Sequence, residues 1–250
     1  MSHPESTDDW DQHWSHYGEA AAANPAHRYR MRLILSHLAI QDAHPTLVDI
    51  GSGQGDLLAE LRQQWPHAEL LGIELSEAGC RIARRKVPDA IFIQRDLLRP
   101  GRVPPRFEKW GRYAVCSEVL EHVDRPDRLL EYASAYLAPG CRLVVTVPGG
   151  PMSSFDRHIG HRRHYTRESL SAVLRGAGFK IEVLAAAGFP FHSLYRLAVV
   201  ARGRRLTDDV AGPSSRVMRG IMRAFDLSFR LSFPSSPWGW QLVAVARVPS

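Results

Sequence analysis

The 250-residue chain carries 32 basic and 26 acidic side chains, a formal net charge of +6 and 44% hydrophobic residues. That length accommodates one α/β domain with a modest insertion, and no apolar run is long enough to span a bilayer. The polar opening MSHPESTDDWDQHW lacks a basic start followed by an apolar stretch, so no secretory signal is expected. Cys80, Cys116 and Cys141 fit no zinc or redox spacing and are expected as reduced core thiols of a cytoplasmic protein.

In chain order, residues 10–38 read as helical, with Trp10, Trp14 and Tyr17 spaced to share one face. Pro25 is expected to break this stretch and leave a second helix over 30–38. Residues 47–50 form a short apolar strand ending at glycines, 57–65 a helix, 69–73 a strand, 76–86 a helix and 90–94 a strand. After a proline-rich loop at 100–105, residues 113–116 read as a strand. Residues 125–137 read as a helix ending in Pro139-Gly140, and 142–147 as an apolar strand. Thr166 suits the N-cap of a helix over 167–175, which Gly176 and Gly178 end. Residues 179–184 and 240–248 are the last strands. The stretch 188–239 is too long for a plain connection and reads as an insertion with its own helices. Strand and helix alternating at this rhythm imply right-handed βαβ units and a parallel sheet covered on both faces.

Val48-Asp49-Ile50-Gly51-Ser52-Gly53-Gln54-Gly55-Asp56-Leu57 runs from a strand through a glycine-rich turn into a helix. Glycine serves where backbone takes unusual dihedrals or meets a ligand directly. Such a turn lies at the carboxyl end of the first strand, where doubly wound sheets bind ligands. An acid roughly 20 residues further on should accept ribose hydroxyls, and Glu74 in Leu71-Gly72-Ile73-Glu74 stands there. Gly51, Gly53 and Gly55 give G-x-G-x-G, not the G-x-G-x-x-G of a dinucleotide site.

The run resembles the first motif of class I S-adenosylmethionine-dependent methyltransferases, of the type 11/12-like small-molecule group. Later segments follow that family's order. Glu74 takes the place of the ribose-binding acid, and Asp96 in Gln94-Arg95-Asp96-Leu97 that of the acid near the adenine amino group. Cys116-Ser117-Glu118-Val119-Leu120-Glu121-His122-Val123 matches the fourth-strand segment. Leu137-Ala138-Pro139-Gly140-Cys141-Arg142-Leu143 matches the turn into the fifth strand. The resemblance implies an α/β, Rossmann-like, doubly wound seven-stranded sheet, mostly parallel with a reversed last strand, plus N-terminal helices and a helical insertion before that strand. It implies S-adenosyl-L-methionine as cofactor, held by Asp49, Gly51, Ser52, Gly53, Gly55, Glu74, Leu75, Asp96, Leu97, Ser117 and Glu118. Residues 46–187 and 240–250 would form the cofactor domain, 1–45 a helical lid segment and 188–239 a second, substrate-covering lid.

Methyl transfer from a sulfonium is an in-line displacement, and an alcohol or phenol acceptor must also lose a proton. Phe155-Asp156-Arg157-His158-Ile159-Gly160-His161-Arg162-Arg163-His164-Tyr165 follows the fifth strand, where the family places substrate-facing loops. His161 is the first candidate base, because Gly160 leaves room beside it; His158 and His164 are the others. Glu118, Glu121 and His122 form E-x-x-E-H, spaced to share a face if helical. With His161 they would make a magnesium, manganese or zinc site. That set looks like the metal site of ubiquinone-pathway O-methyltransferases and of small-RNA 3′-terminal 2′-O-methyltransferases. Family members without a metal carry the same segment, and the metal-free reading is preferred.

Eight arginines between residues 196 and 230 face three aspartates, so one segment carries most of the excess charge. Val217, Met218, Ile221, Met222, Phe225 and Phe229 recur at helical spacing among Arg216, Arg219, Arg223 and Arg230. A basic amphipathic helix of this kind packs on a core, covers an apolar or anionic substrate, or touches a membrane surface through 214–231. The resulting expectation is methylation of a small molecule at oxygen, with no nucleic-acid partner. RNA 2′-O-methylation, a lipid-linked acceptor and a non-catalytic binding protein stay open as alternatives.

Overall fold

The computed structural model describes residues 10–11, 24–202 and 216–249. Trp14, Tyr17, Arg204, Arg205, Asp208 and Asp209 lie outside the described residues, as do the side chains of Arg202, Arg216, Val217, Met218, Arg219 and Ile221.

Helix α1 (Pro25–Leu38) leads into β1 (Thr46–Ile50), α2 (Asp56–Gln64), β2 (Glu69–Glu74), α3 (Glu77–Lys86), β3 (Ile91–Gln94) and β4 (Gly111–Ser117). A 3₁₀ turn, Leu120–His122, precedes α4 (Pro126–Ser134), β5 (Leu137–Pro148), α5 (Ser154–His158), α6 (Arg167–Gly176) and β6 (Lys180–Ala187). The insertion holds α7 (Phe191–Arg202) and α8 (Arg216–Phe229), and β7 (Gln241–Arg247) closes the sheet. The strand order is β3-β2-β1-β4-β5-β7-β6. β1 to β5 run parallel, and β7 lies antiparallel between β5 and β6. The order reverses between β1 and β4, and at such a switch point the carboxyl ends of the strands leave a crevice.

Two expected boundaries change. Pro25 opens α1 instead of breaking a helix: it occupies the first turn, where the missing N–H costs nothing, and Asn24 caps it by accepting from Ala26 N at 2.9 Å. The fourth helix ends at Ser134, and β5 starts at Leu137 because Leu137 pairs with Gly111 before a bulge at Gly111/Tyr113. Pro139-Gly140 therefore lies inside β5, with Gly140 at φ 75°.

Side chains alternate across the sheet as a two-residue period requires. Val48, Ile50, Ala114, Cys116, Leu143 and Val145 pack with α4 and α6 on one face. Leu47, Val115, Val144 and Val245 pack with α1, α2 and α3 on the other. A separate aromatic cluster of Tyr29, Phe191, Tyr195, Phe225 and Phe229 ties α1 to both insertion helices. Asp226 of α8 also pairs with Arg32 at 3.0 Å and Arg28 at 3.5 Å. The N-terminal helix and the insertion thus form one packed unit. No helix among the described residues is long and apolar enough to cross a membrane.

Leu130 of α4 is fully buried in the first cluster. Leu130→Ala should lower the unfolding free energy by about 2–5 kcal/mol, read as a lower urea midpoint at unchanged m-value. An unchanged midpoint would show that this face carries little of the core's stability.

Candidate active site at the carboxyl edge of the sheet

β1 ends in a turn whose glycines all have positive φ: 74° at Gly51, 52° at Gly53 and 80° at Gly55. A Cβ on Gly51 would lie 2.4 Å from Val119 Cγ2. Gly51 N and Ser52 N both donate to the Ile73 carbonyl, at 2.8 and 3.1 Å, fixing the turn to the end of β2. Gly55 caps α2 by backbone conformation alone. The acidic Asp56 beside it accepts from Gln54 at 2.8 Å and pairs with Lys86.

Glu74 closes over this turn. Its Oε2 accepts from Gly53 N at 2.7 Å and its Oε1 from Ser76 N at 2.9 Å. Burial raises the Glu74 pKa, and the backbone donors of Ser76, Gly53 and Leu75 counteract it. Asp49, at the end of β1, is buried as well. Burial first, then the charges of Glu74 and Asp56, push its pKa up to about 8. The Ser52 hydroxyl is also buried without a partner among the described residues. Leu75 stands exposed at the end of β2, and Leu97 is buried in the core. Asp96 accepts from Leu98 N at 2.8 Å and pairs with Arg99 at 3.1 Å.

Four residues absent from the sequence expectations also meet here. Asp11 accepts from Ser76 Oγ at 2.5 Å and Ala78 N at 2.9 Å, laying the N-terminal segment over the start of α3. Arg30 of α1 reaches Glu118, with Nε 3.7 Å from Oε2. Gln241, the first residue of β7, donates to Glu118 Oε1 at 2.9 Å. Arg196 of α7 binds Asp156 at 3.0 Å. None of the four had a sequence signal, but the partner of Arg196 did, since Ser153-x-x-Asp156 is a capping-box spacing and the box is formed.

The E-x-x-E-H segment is not a helical face. Glu118 has φ 55°, outside the 3₁₀ turn, so its carboxylate points to Gln241, Thr146 and Arg30. Ser117 turns to Thr146 instead, with their hydroxyls 2.8 Å apart. Glu121, His122 and His161 do converge, their ligand-type atoms lying within 4.8 Å of one another. Glu121 is fully buried, and neither of its oxygens has a hydrogen-bond partner among the described residues. Burial, then Glu118, raises its pKa well above the usual carboxylate range.

His161 joins a second group. Its Nδ1 lies 3.2 Å from His164 Nε2, His164 Nδ1 lies 3.1 Å from the Gly150 carbonyl, and His164 Nε2 lies 3.8 Å from Asp156. Burial, reinforced by His122, pushes the His161 pKa down to about 2. Burial also lowers that of His164. The two imidazoles are therefore neutral around pH 7. Trp10 meets His122 edge-on at 4.8 Å, and His161 does so at 4.6 Å. His158 is exposed at the end of α5 and belongs to neither group.

A family model described as a methyltransferase domain matches residues 20–184. The trans-aconitate 2-methyltransferase of Paracidovorax citrulli is 31% identical over 144 residues, covering 56% of this chain and 50% of that protein. The malonyl-[acyl-carrier protein] O-methyltransferase of Halalkalibacterium halodurans is 26% identical over 136 residues, covering 53% and 49%. The chain spans about half the length of these curated relatives. Among solved structures, phosphoethanolamine N-methyltransferase 2 of Haemonchus contortus superposes with a TM-score of 0.64 at 15% identity, over 99% of this chain and 62% of that one. At that identity the likeness is one of fold.

The buried acid of β1 has a measurable consequence. Unfolded, Asp49 ionises near its ordinary pKa of about 3.9; folded, it does so near 8. Between those values unfolding releases a proton, so this residue's contribution to stability falls as pH rises. Asp49→Asn should abolish that fall, giving the variant a less negative slope of Tm against pH over this window. Parallel slopes would mean that Asp49 is ionised in the ligand-free protein.

Proposed function

The chain belongs to the methyltransferase-domain family, class I Rossmann-like enzymes that use S-adenosylmethionine, and we propose that it methylates an oxygen of a small-molecule acceptor. The observation that carries this reading is the glycine turn together with Asp49, Ser52 and Glu74. The turn is closed to side chains at Gly51 and is accompanied by three buried polar groups, two of them acids. A ligand with hydroxyls, an ammonium and a sulfonium, and with no phosphate, matches those acceptors and their charge. Gly51, Ser52, Gly53 and Gly55 would seat it. Asp49 would compensate its positive end, Glu74 would accept from its ribose, and Leu75, Asp96 and Leu97 would flank its base. Ser117 and Glu118 would border the methyl end. Bound there, the cofactor supplies an electrophilic methyl group.

The acceptor side favours an oxygen that is already acidic. His161, with a pKa near 2, is a weak base, whereas a carboxylate needs no deprotonation before attack. Both curated relatives described above are named for carboxylate-bearing acceptors. The role left to His161 and His164 is to orient the acceptor, while Arg30 and Arg196 supply positive charge on the lid side. The donor set suits a metal only in part. Glu121, His122 and His161 could hold a divalent ion that would act as a Lewis acid on an acceptor oxygen, but Glu118 is committed to Gln241 and Arg30.

Calorimetric titration should show binding of S-adenosylhomocysteine and none of NADH. Glu74→Gln should weaken that binding by about 10- to 100-fold, as expected for a charge-assisted hydrogen bond. NADH binding in its place would remove the assignment. Turnover of carboxylic acids should persist after treatment with a chelator. A loss that magnesium, manganese or zinc restores, and that His161→Ala mimics, would instead give the Glu121–His122–His161 cluster a metal.

A further inference from the structure

The insertion shows an unusual surface. Nine large apolar side chains are exposed among the described residues, and six of them lie in it: Leu194, Leu197, Leu227, Leu231, Phe233 and Trp238. Leu231 is 70% and Trp238 64% exposed. The segments that carry them are tied together by the backbone. Phe233 N donates to the Phe189 carbonyl at 2.7 Å, and Ser193 Oγ donates to the Trp238 carbonyl at 3.1 Å, which wraps residues 232–238 around the first turn of α7. Trp238 packs on Phe189 with ring centroids 5.2 Å apart. Leu194 and Leu197 are one turn apart on α7, while Leu227 lies in the last turn of α8 and Leu231 in the turn that follows it. The inner faces of both helices are already spent on the aromatic cluster with Tyr29.

The same stretch holds eight arginines against three aspartates, nearly the whole net charge of the chain. Arg223 on α8 and Arg230 just after it are exposed, whereas Arg196 turns inward to Asp156. We propose that this face of the insertion docks on an anionic lipid bilayer, inserting its leucines, Phe233 and Trp238 below headgroups that its arginines neutralise. Leucine, tryptophan and arginine together suit that boundary, where apolar surface and positive charge are both accommodated. A second copy of the chain would bring the same positive charge against itself. An RNA backbone would use the arginines and leave the leucines in water. This inference concerns where the protein works and stands whether or not the acceptor class is correct.

The test is flotation of the full chain with phosphatidylcholine vesicles, with and without phosphatidylglycerol. The protein should float with the anionic vesicles, stay down with the neutral ones, and be released by about 1 M salt, where the Debye length falls to about 3 Å. The doubly substituted variant Leu231→Glu, Trp238→Glu should lose at least about tenfold in vesicle affinity while keeping the parent's circular dichroism and melting temperature. Arg223→Glu should weaken binding to anionic vesicles further. Failure to float with anionic vesicles, or equal flotation of the double variant, would overturn the proposal. So would a dimer in sedimentation velocity that Leu231→Glu disperses, which would assign the patch to a second copy.

Discussion

The turn after β1 has no space for a side chain, and the rest of the site follows from that exclusion. A Cβ on Gly51 would meet Val119 at 2.4 Å, so β1, β2 and the exit of β4 are held at backbone distance from one another. Two amides of the turn share the Ile73 carbonyl. The next residue, Glu74, is thereby aimed back over Gly53, and Glu118, next to Val119, is forced into a left-handed conformation at the rim. Close approach at one point therefore positions two carboxylates contributed by different strands.

Electrostatically the site is poised and costly. Asp49, Glu74 and Glu121 are each buried, and desolvation is the largest influence on each. Buried acids disfavour their own ionisation unless a positive group arrives. A cationic ligand seated over Asp49 would restore the missing counter-charge, so affinity and stability are linked through the same carboxyl. The imidazoles of His161 and His164, kept neutral by the same desolvation, add no positive charge to offset these acids.

Local features were legible in the sequence, and features made by convergence were not. Strand-turn-helix order, the glycine turn, Glu74 at the end of β2 and the Thr166 cap all depend on neighbours in the chain, and each stands where its pattern put it. Pro25 and Pro139-Gly140 were misread because proline terminates and initiates elements equally well. Only the capping Asn24 and the distant partner Gly111 decide which. The spacing of Glu118, Glu121 and His122 fits a helix, but one left-handed residue sends Glu118 away from the other two. Asp11, Arg30 and Gln241 reach the site over long sequence separations, and no periodicity encodes such contacts.

The reversed strand changes what kind of object the insertion is. The chain leaves the sheet at Ala187 and re-enters at Gln241, and these two residues are cross-strand partners. The insertion therefore has adjacent feet, like a hairpin loop enlarged until it holds α7 and α8. Closing such a loop costs entropy that grows only slowly with its length. Helices can be lengthened, shortened or replaced there without disturbing any strand register. Gln241, anchored to Glu118, keeps the junction in step with the cofactor edge. The fold thus offers a cassette position, at which recognition of a new acceptor or a new surface can be fitted while the chemistry below stays unchanged.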